Sequence, residues 1–194
     1  MKNNFKKDEL KKGENKSSKM VLEFLEKNNL HKKEFAQMIG VTLSYVYNLI
    51  DENVPFSTRS ITLERIATVM DINPEDFIEY QIPQDVVSYS ENLLMLKDLI
   101  KLNKLSTLQF LQMFERKKRL ELVDILRGAK PIQIDFNELK NIGDALNMSK
   151  KDLFEMWKKR MIEYLKNGGF NIEKNQKLIM AMFDCAYDEI CNNM

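Results

Sequence analysis

Apolar residues recur at three- and four-residue steps along most of the chain, and nowhere do apolar and polar positions alternate over several residues. That periodicity predicts an all-α protein, with helices near 18–29, 31–39, 43–51, 60–70, 74–80, 89–103, 106–114, 117–127, 136–147, 150–166 and 172–191. Apart from Gly143, inside 136–147, glycine and proline, 6 and 4 in number, fall outside these segments or at their start and mark the breaks. Pro83 interrupts any continuous helix through "QIPQDVVSYSEN", residues 81–92.

The pattern repeats. "ITLERIATVMDINPEDF" (61–77) lies over "NELKNIGDALNMSKKDL" (137–153) without a gap, Leu63 meeting Leu139, Ile66 meeting Ile142, Ala67 meeting Gly143 and Met70 meeting Leu146. Apolar positions match while polar ones drift, as expected when packing is shared and surface is not. "LHKKEFAQMI" (30–39) aligns likewise with "LSTLQFLQMF" (105–114). The expected organisation is two tandem five-helix units plus a C-terminal helix. Its divisions are a basic, loose arm over 1–17, a first unit over 18–82, a linker over 83–90, a second unit over 91–170, and a final helix over 171–194 that suits self-association.

Residues 31–51 carry the most specific signal. Small Ala36 lets two helices approach, Gly40 can take the left-handed conformation that ends the first, and Val41 plugs the corner. Thr42 is a natural N-cap for the next helix. There Val46 and Leu49 face inward, leaving Leu43, Ser44, Tyr47 and Asn48 on the outer face. With "LERIATVMDINPEDF" downstream, residues 18–82 resemble the lambda-repressor-like (Cro-type, XRE) helix-turn-helix family. The resemblance implies a DNA-binding domain whose second motif helix lies in the major groove. It makes Leu43, Ser44, Tyr47 and Asn48 the base readers. Lys32, Lys33, Asn53, Ser57, Thr58 and Arg59 are then the phosphate contacts.

In the second unit the corner becomes "ERKKR" (115–119), and Leu120, Val123 and Asp124 stand where Ser44, Tyr47 and Asn48 stand in the first. Two apolar groups and an acid do not read bases, so exposed Leu120 and Val123 are expected to form a contact surface. Arg116, Lys117, Lys118 and Arg119 are candidate phosphate contacts. A narrower alternative sets both units on one duplex through that basic run.

Charge changes the picture locally. The net charge of +1 makes no global case for nucleic acid, and residues 20–82 hold five cations against ten carboxylates. Lys2, Lys6, Lys7, Lys11, Lys12, Lys16 and Lys19 in and beside the arm offer compensation. No apolar run approaches the roughly 18 residues of a membrane span and no secretory signal precedes the first unit, so a cytoplasmic location is expected. The single histidine, His31, builds no catalytic triad, no phosphate-cradling glycine loop occurs, and Cys185 and Cys191 are spaced as idle thiols, so no enzyme, cofactor or metal site is expected. The reading is a sequence-specific, repressor-like regulator of double-stranded DNA, a homo-dimer through its C-terminal region. The alternative is an adaptor that keeps the fold and binds a protein partner.

Overall fold

Val21 and Leu25 stand one turn apart and face inward, which turns the amphipathic α1 (Lys16–Lys27) onto the core. The structure, a computed structural model, describes residues 16–82, 90–132, 136–188 and 191. After α1 come α2 (Lys32–Ile39), α3 (Leu43–Leu49), α4 (Ser60–Met70) and a 3-10 turn at Pro74–Asp76. Then follow α5 (Ser90–Leu102), α6 (Thr107–Gln112), α7 (Arg116–Leu126), α8 (Phe136–Ala145), α9 (Lys150–Asn167) and α10 (Gln176–Tyr187). The described residues are all-helical, without strands.

Several helix ends shift by a residue or two from the periodicity, and three of the differences have a visible cause. The helix expected over 74–80 stops after one 3-10 turn, because Phe77 takes an extended conformation that carries its ring inward onto Phe56, 6.0 Å away and nearly parallel. α10 begins at Gln176 rather than 172, the Lys174 amide being taken up by the Asn171 side chain at 2.9 Å. α1 already opens at Lys16, so the arm expected over 1–17 loses its last two residues to the helix, and Ser17 donates to Glu79 at 2.7 Å. Residues 1–15, with Lys2, Lys6, Lys7, Lys11 and Lys12, and residues 83–89 of the expected linker lie outside the described residues.

One apolar core runs through both halves of the chain. Phe35, Ile39, Leu63 and Ile66 from the N-terminal segment and Phe110, Leu122, Val123 and Leu126 from the C-terminal segment belong to the same buried cluster. A smaller cluster, Phe154, Ile179 and Phe183, joins α10 to α9, with Trp157 and Met161 packed against it.

The seam between the segments is polar and charged as well as apolar. α7 packs against α2 and α4. Leu120 reaches the corner so closely that a Cβ on Gly40 would sit 3.0 Å from its methyl and 2.9 Å from Arg65 Nη1. Arg65 donates to both oxygens of Asp124, at 2.9 and 3.0 Å. Arg127 bridges Asp124 at 2.8 Å and Glu64 at 2.5 Å. Glu34 on α2 pairs with Arg119 on α7. Asp71, held at φ 56° as it closes α4, accepts the Thr107 amide at 2.8 Å and the Thr107 hydroxyl, and so caps α6 from the other segment.

Two expectations are corrected here. Val123 is fully buried and Leu120 half-buried, so the contact surface they form is internal, filled by the N-terminal segment. Arg119 is no surface cation either. Its guanidinium is buried, paired with Glu34 and bonded to the Phe114 carbonyl at 3.0 Å, because a charge at this seam must be satisfied inside.

Gly40→Ala forces a β-carbon into the left-handed region at φ 72° and against Arg65, so it should lower the urea midpoint by the equivalent of about 1–3 kcal/mol. An unchanged midpoint would contradict the geometry.

Burial alone would raise the Asp124 carboxyl, but hydrogen bonds and charge from Arg65 and Arg127 outweigh it and hold the group below its ordinary value of 3.8. A depressed carboxyl stabilises the fold above its unfolded pKa, and that stabilisation is lost as pH falls through the lower, folded one. Urea unfolding followed from pH 5 down to pH 2 should therefore show an acid loss below about 3.8 that shrinks in Asp124→Asn. An acid limb identical in both proteins would exclude Asp124 as its source.

Candidate nucleic-acid interface

α2 and α3 meet at a hinge whose backbone follows from its residue types. Gly40 takes φ 72°, ψ 40° and its amide closes on the Ala36 carbonyl. The same carbonyl accepts the Val41 amide at 2.9 Å, and Val41 leans on the core. Thr42 is extended, and its hydroxyl accepts the Tyr45 amide at 3.2 Å, capping α3. Val46 and Leu49 then bury their side chains, and Ala36, itself buried, lets the two helices approach.

The opposite side of α3 is open. Leu43 is 38% exposed, Tyr47 53% exposed, and Ser44 and Asn48 are exposed beside them. α3 spans seven residues, and an α-helix with its side chains is about 10–12 Å across, a fit to a major groove about 12 Å wide. Lys32 lies with Nζ 5.1 Å from the centre of the Tyr47 ring, so its ammonium is held at the edge of this face.

A groove of about 630 Å³ runs along the same edge, and its lining includes Lys32, Lys33, Leu43, Tyr47 and, from α7, Arg116. Ser44 and Asn48 share α3 but do not line the groove. The remaining candidates follow α3 in the loop to α4. Asn53 turns its backbone and side-chain amides onto Asp51, at 2.9 and 3.0 Å. Thr58 is half-buried and accepts the Tyr45 hydroxyl, which leaves its own proton to donate. Ser57 and Arg59 are exposed, Arg59 at the N-cap of α4. Asp51 and Glu52 are exposed just past the C-terminal end of α3.

In α7, Arg116 and Lys117 are exposed, Lys118 is half-buried and engaged, and Arg119 is turned inward. The residues that sequence reasoning missed are the acids and cations of the seam: Glu34, Glu64, Arg65, Asp71 and Arg127. One signal was present. Leu120, Leu122, Val123, Ile125 and Leu126 make α7 apolar around most of its circumference, a pattern of burial on several sides, and an acid within it requires a cationic partner.

Behind the seam, a second cleft of about 830 Å³ is lined by Glu64, Asp71, Asp76, Tyr80, Lys97 and Arg127. Its acids are committed. Glu64 takes Arg127 and the Tyr80 hydroxyl at 3.0 Å, Asp71 takes Thr107, and Asp76 takes the Asn73 amide at 3.0 Å. Burial, then the bond to Glu64, pushes the Tyr80 hydroxyl up to about 12.

None of the described helices is long and apolar enough to cross a membrane. No curated protein and no solved structure matches the chain. Residues 20–83 do match a family model, and the segment that carries the hinge and the open face of α3 is thereby similar to the Cro/C1-type HTH DNA-binding domain.

Proposed function

We propose that the protein is a sequence-specific DNA-binding regulator of the repressor-like kind, which reads the major groove with α3 and acts by occupying an operator. The observation that carries this reading is the open polar face of α3 on a hinge set by Gly40 and Thr42, within the segment similar to the Cro/C1-type HTH DNA-binding domain. Asn48 offers a donor and an acceptor to one adenine edge, Leu43 an apolar surface to a thymine methyl, and Ser44 a hydroxyl to either base or phosphate. Lys32, Lys33, Ser57, Thr58 and Arg59 set register on the backbone, with Asn53 placed to assist if it leaves Asp51. On this reading residues 91–170 are a degenerate copy of the first unit that has given up base readout.

The C-terminal region suits a homo-dimer. Leu178 and Met182 are 58% and 55% exposed, and with Ala181 and Cys185 they form one apolar stripe on α10. Lys174 and Lys177 flank its amino half and Asp184 its carboxyl half, so a second copy laid antiparallel sets opposite charges face to face. Such a pair presents two α3 helices to a palindromic site.

Duplexes selected from a random pool should bind more tightly than random DNA at about 100 mM salt, and Asn48→Ala should cost about 1–3 kcal/mol at one base pair only. Equal loss on every sequence would contradict base readout. Absence of any duplex binding would favour the adaptor reading, to which exposed Asp51 and Glu52 lend a negative surface. In sedimentation, Leu178→Lys with Met182→Lys should halve the mass while the helical signal persists. A wild-type monomer at tens of micromolar would exclude the dimer.

A further inference from the structure

The N-terminal segment carries too few cations for a DNA-binding surface, and the fold corrects this in two ways. Of its five cations between residues 20 and 82, Arg65 is spent inside on Asp124. Of its carboxylates, Glu34 lies in the first turn of α2 beside Lys32 and Lys33, where it would cancel one of them. Arg119 neutralises Glu34, and Arg127 neutralises Glu64. The C-terminal segment thus removes negative charge from its neighbour.

It also adds positive charge at the edge of α3. Arg116 stands one turn before Arg119 and lines the groove that Lys32, Lys33, Leu43 and Tyr47 line. Its place is held from beneath. Arg119 pairs with Glu34 and bonds to the Phe114 carbonyl at 3.0 Å, which ties the start of α7 to α2. Base readout by α7 is closed off, since Val123 and Asp124 are sealed at the seam. What remains to it is the exposed guanidinium of Arg116 on that groove and, one position further along α7, the exposed ammonium of Lys117.

We propose that the amino end of α7 is a phosphate clamp: Arg116 and Lys117 neutralise backbone phosphates of the duplex whose bases α3 reads, on the strand that Lys32 and Lys33 also face. The clamp rests on the DNA-binding reading and adds to it a role for the C-terminal segment, sequence-independent affinity. Arg119 is its positioning residue and touches no DNA.

Counterion release provides the test, because each phosphate contact contributes about 0.9 to the slope of log affinity against log salt. Anisotropy on one selected and one random duplex, from 50 to 200 mM salt, is measured for the full chain, Arg116→Ala, Arg116→Ala with Lys117→Ala, and Arg116→Lys. Lys159→Ala with Lys166→Ala removes the same charge from exposed positions of α9 as a control. Arg116→Ala should lower the slope by about 1 and the double variant by about 2 on both duplexes, with the selected-to-random ratio unchanged. Arg116→Lys should keep the wild-type slope and the α9 control should not alter it. Wild-type slopes in both α7 alanine variants would overturn the clamp while leaving α3 readout intact if Asn48→Ala still loses its base preference. Loss on the selected duplex alone would also overturn it, since that is base readout. A wild-type chain that binds no duplex at any salt would remove the clamp and the reading beneath it together.

Discussion

The carboxylate of Asp124 is the constraint on which the assembly turns. It is 4% exposed, and an unpaired charge so deep would cost several kcal/mol. It is tolerated because Arg65 grips both oxygens from α4 and Arg127 adds a third bond from within α7. Arg127 continues to Glu64, and Glu64 to the Tyr80 hydroxyl, so one chain of bonds joins α4, α7 and the 3-10 region. Replacing Asp124 takes a buried partner from Arg65 and Arg127 at once, and the two segments are therefore coupled rather than merely adjacent.

The coupling reaches the open face through α7. Its apolar side fills the space over Gly40, where Leu120 stands against the corner of the helix-turn-helix, and a β-carbon there has no room. The backbone that sets the angle between α2 and α3 is consequently buttressed by the other segment. Arg119 and Glu34 extend the same contact to the amino end of α2, where Lys32 is held over Tyr47. Residues far apart in the chain thus pack against the hinge that presents α3 and pair with a charge beside it.

α10 is attached differently. Its inward residues Ile179 and Phe183 meet Phe154 and Trp157 in a cluster separate from the main core, with edge-to-face rings at 5.8 Å between Trp157 and Phe183. A short helix held by so small a cluster keeps a second apolar stripe in solvent. That stripe, Leu178, Ala181, Met182 and Cys185, is exposed in the described residues.

Local sequence determined the helices, the hinge and the facing of α3, because each depends on neighbours within a few residues. A three-to-four step sets a helix, a glycine sets a left-handed corner, and a threonine hydroxyl finds an amide three residues on. The inward turn of Val46 and Leu49, and with it the openness of Ser44, Tyr47 and Asn48, follows from that period alone. Tertiary structure decided everything that depends on distant partners. It made the 74–80 segment a single turn because Phe77 had a ring to meet, buried Val123 and Arg119 and half-buried Leu120 against the N-terminal segment, and set Arg116 on the groove that Lys32 lines. A charge or an apolar face written in the sequence has no fixed fate. Burial and pairing are properties of the space around it, and only the packed chain creates that space.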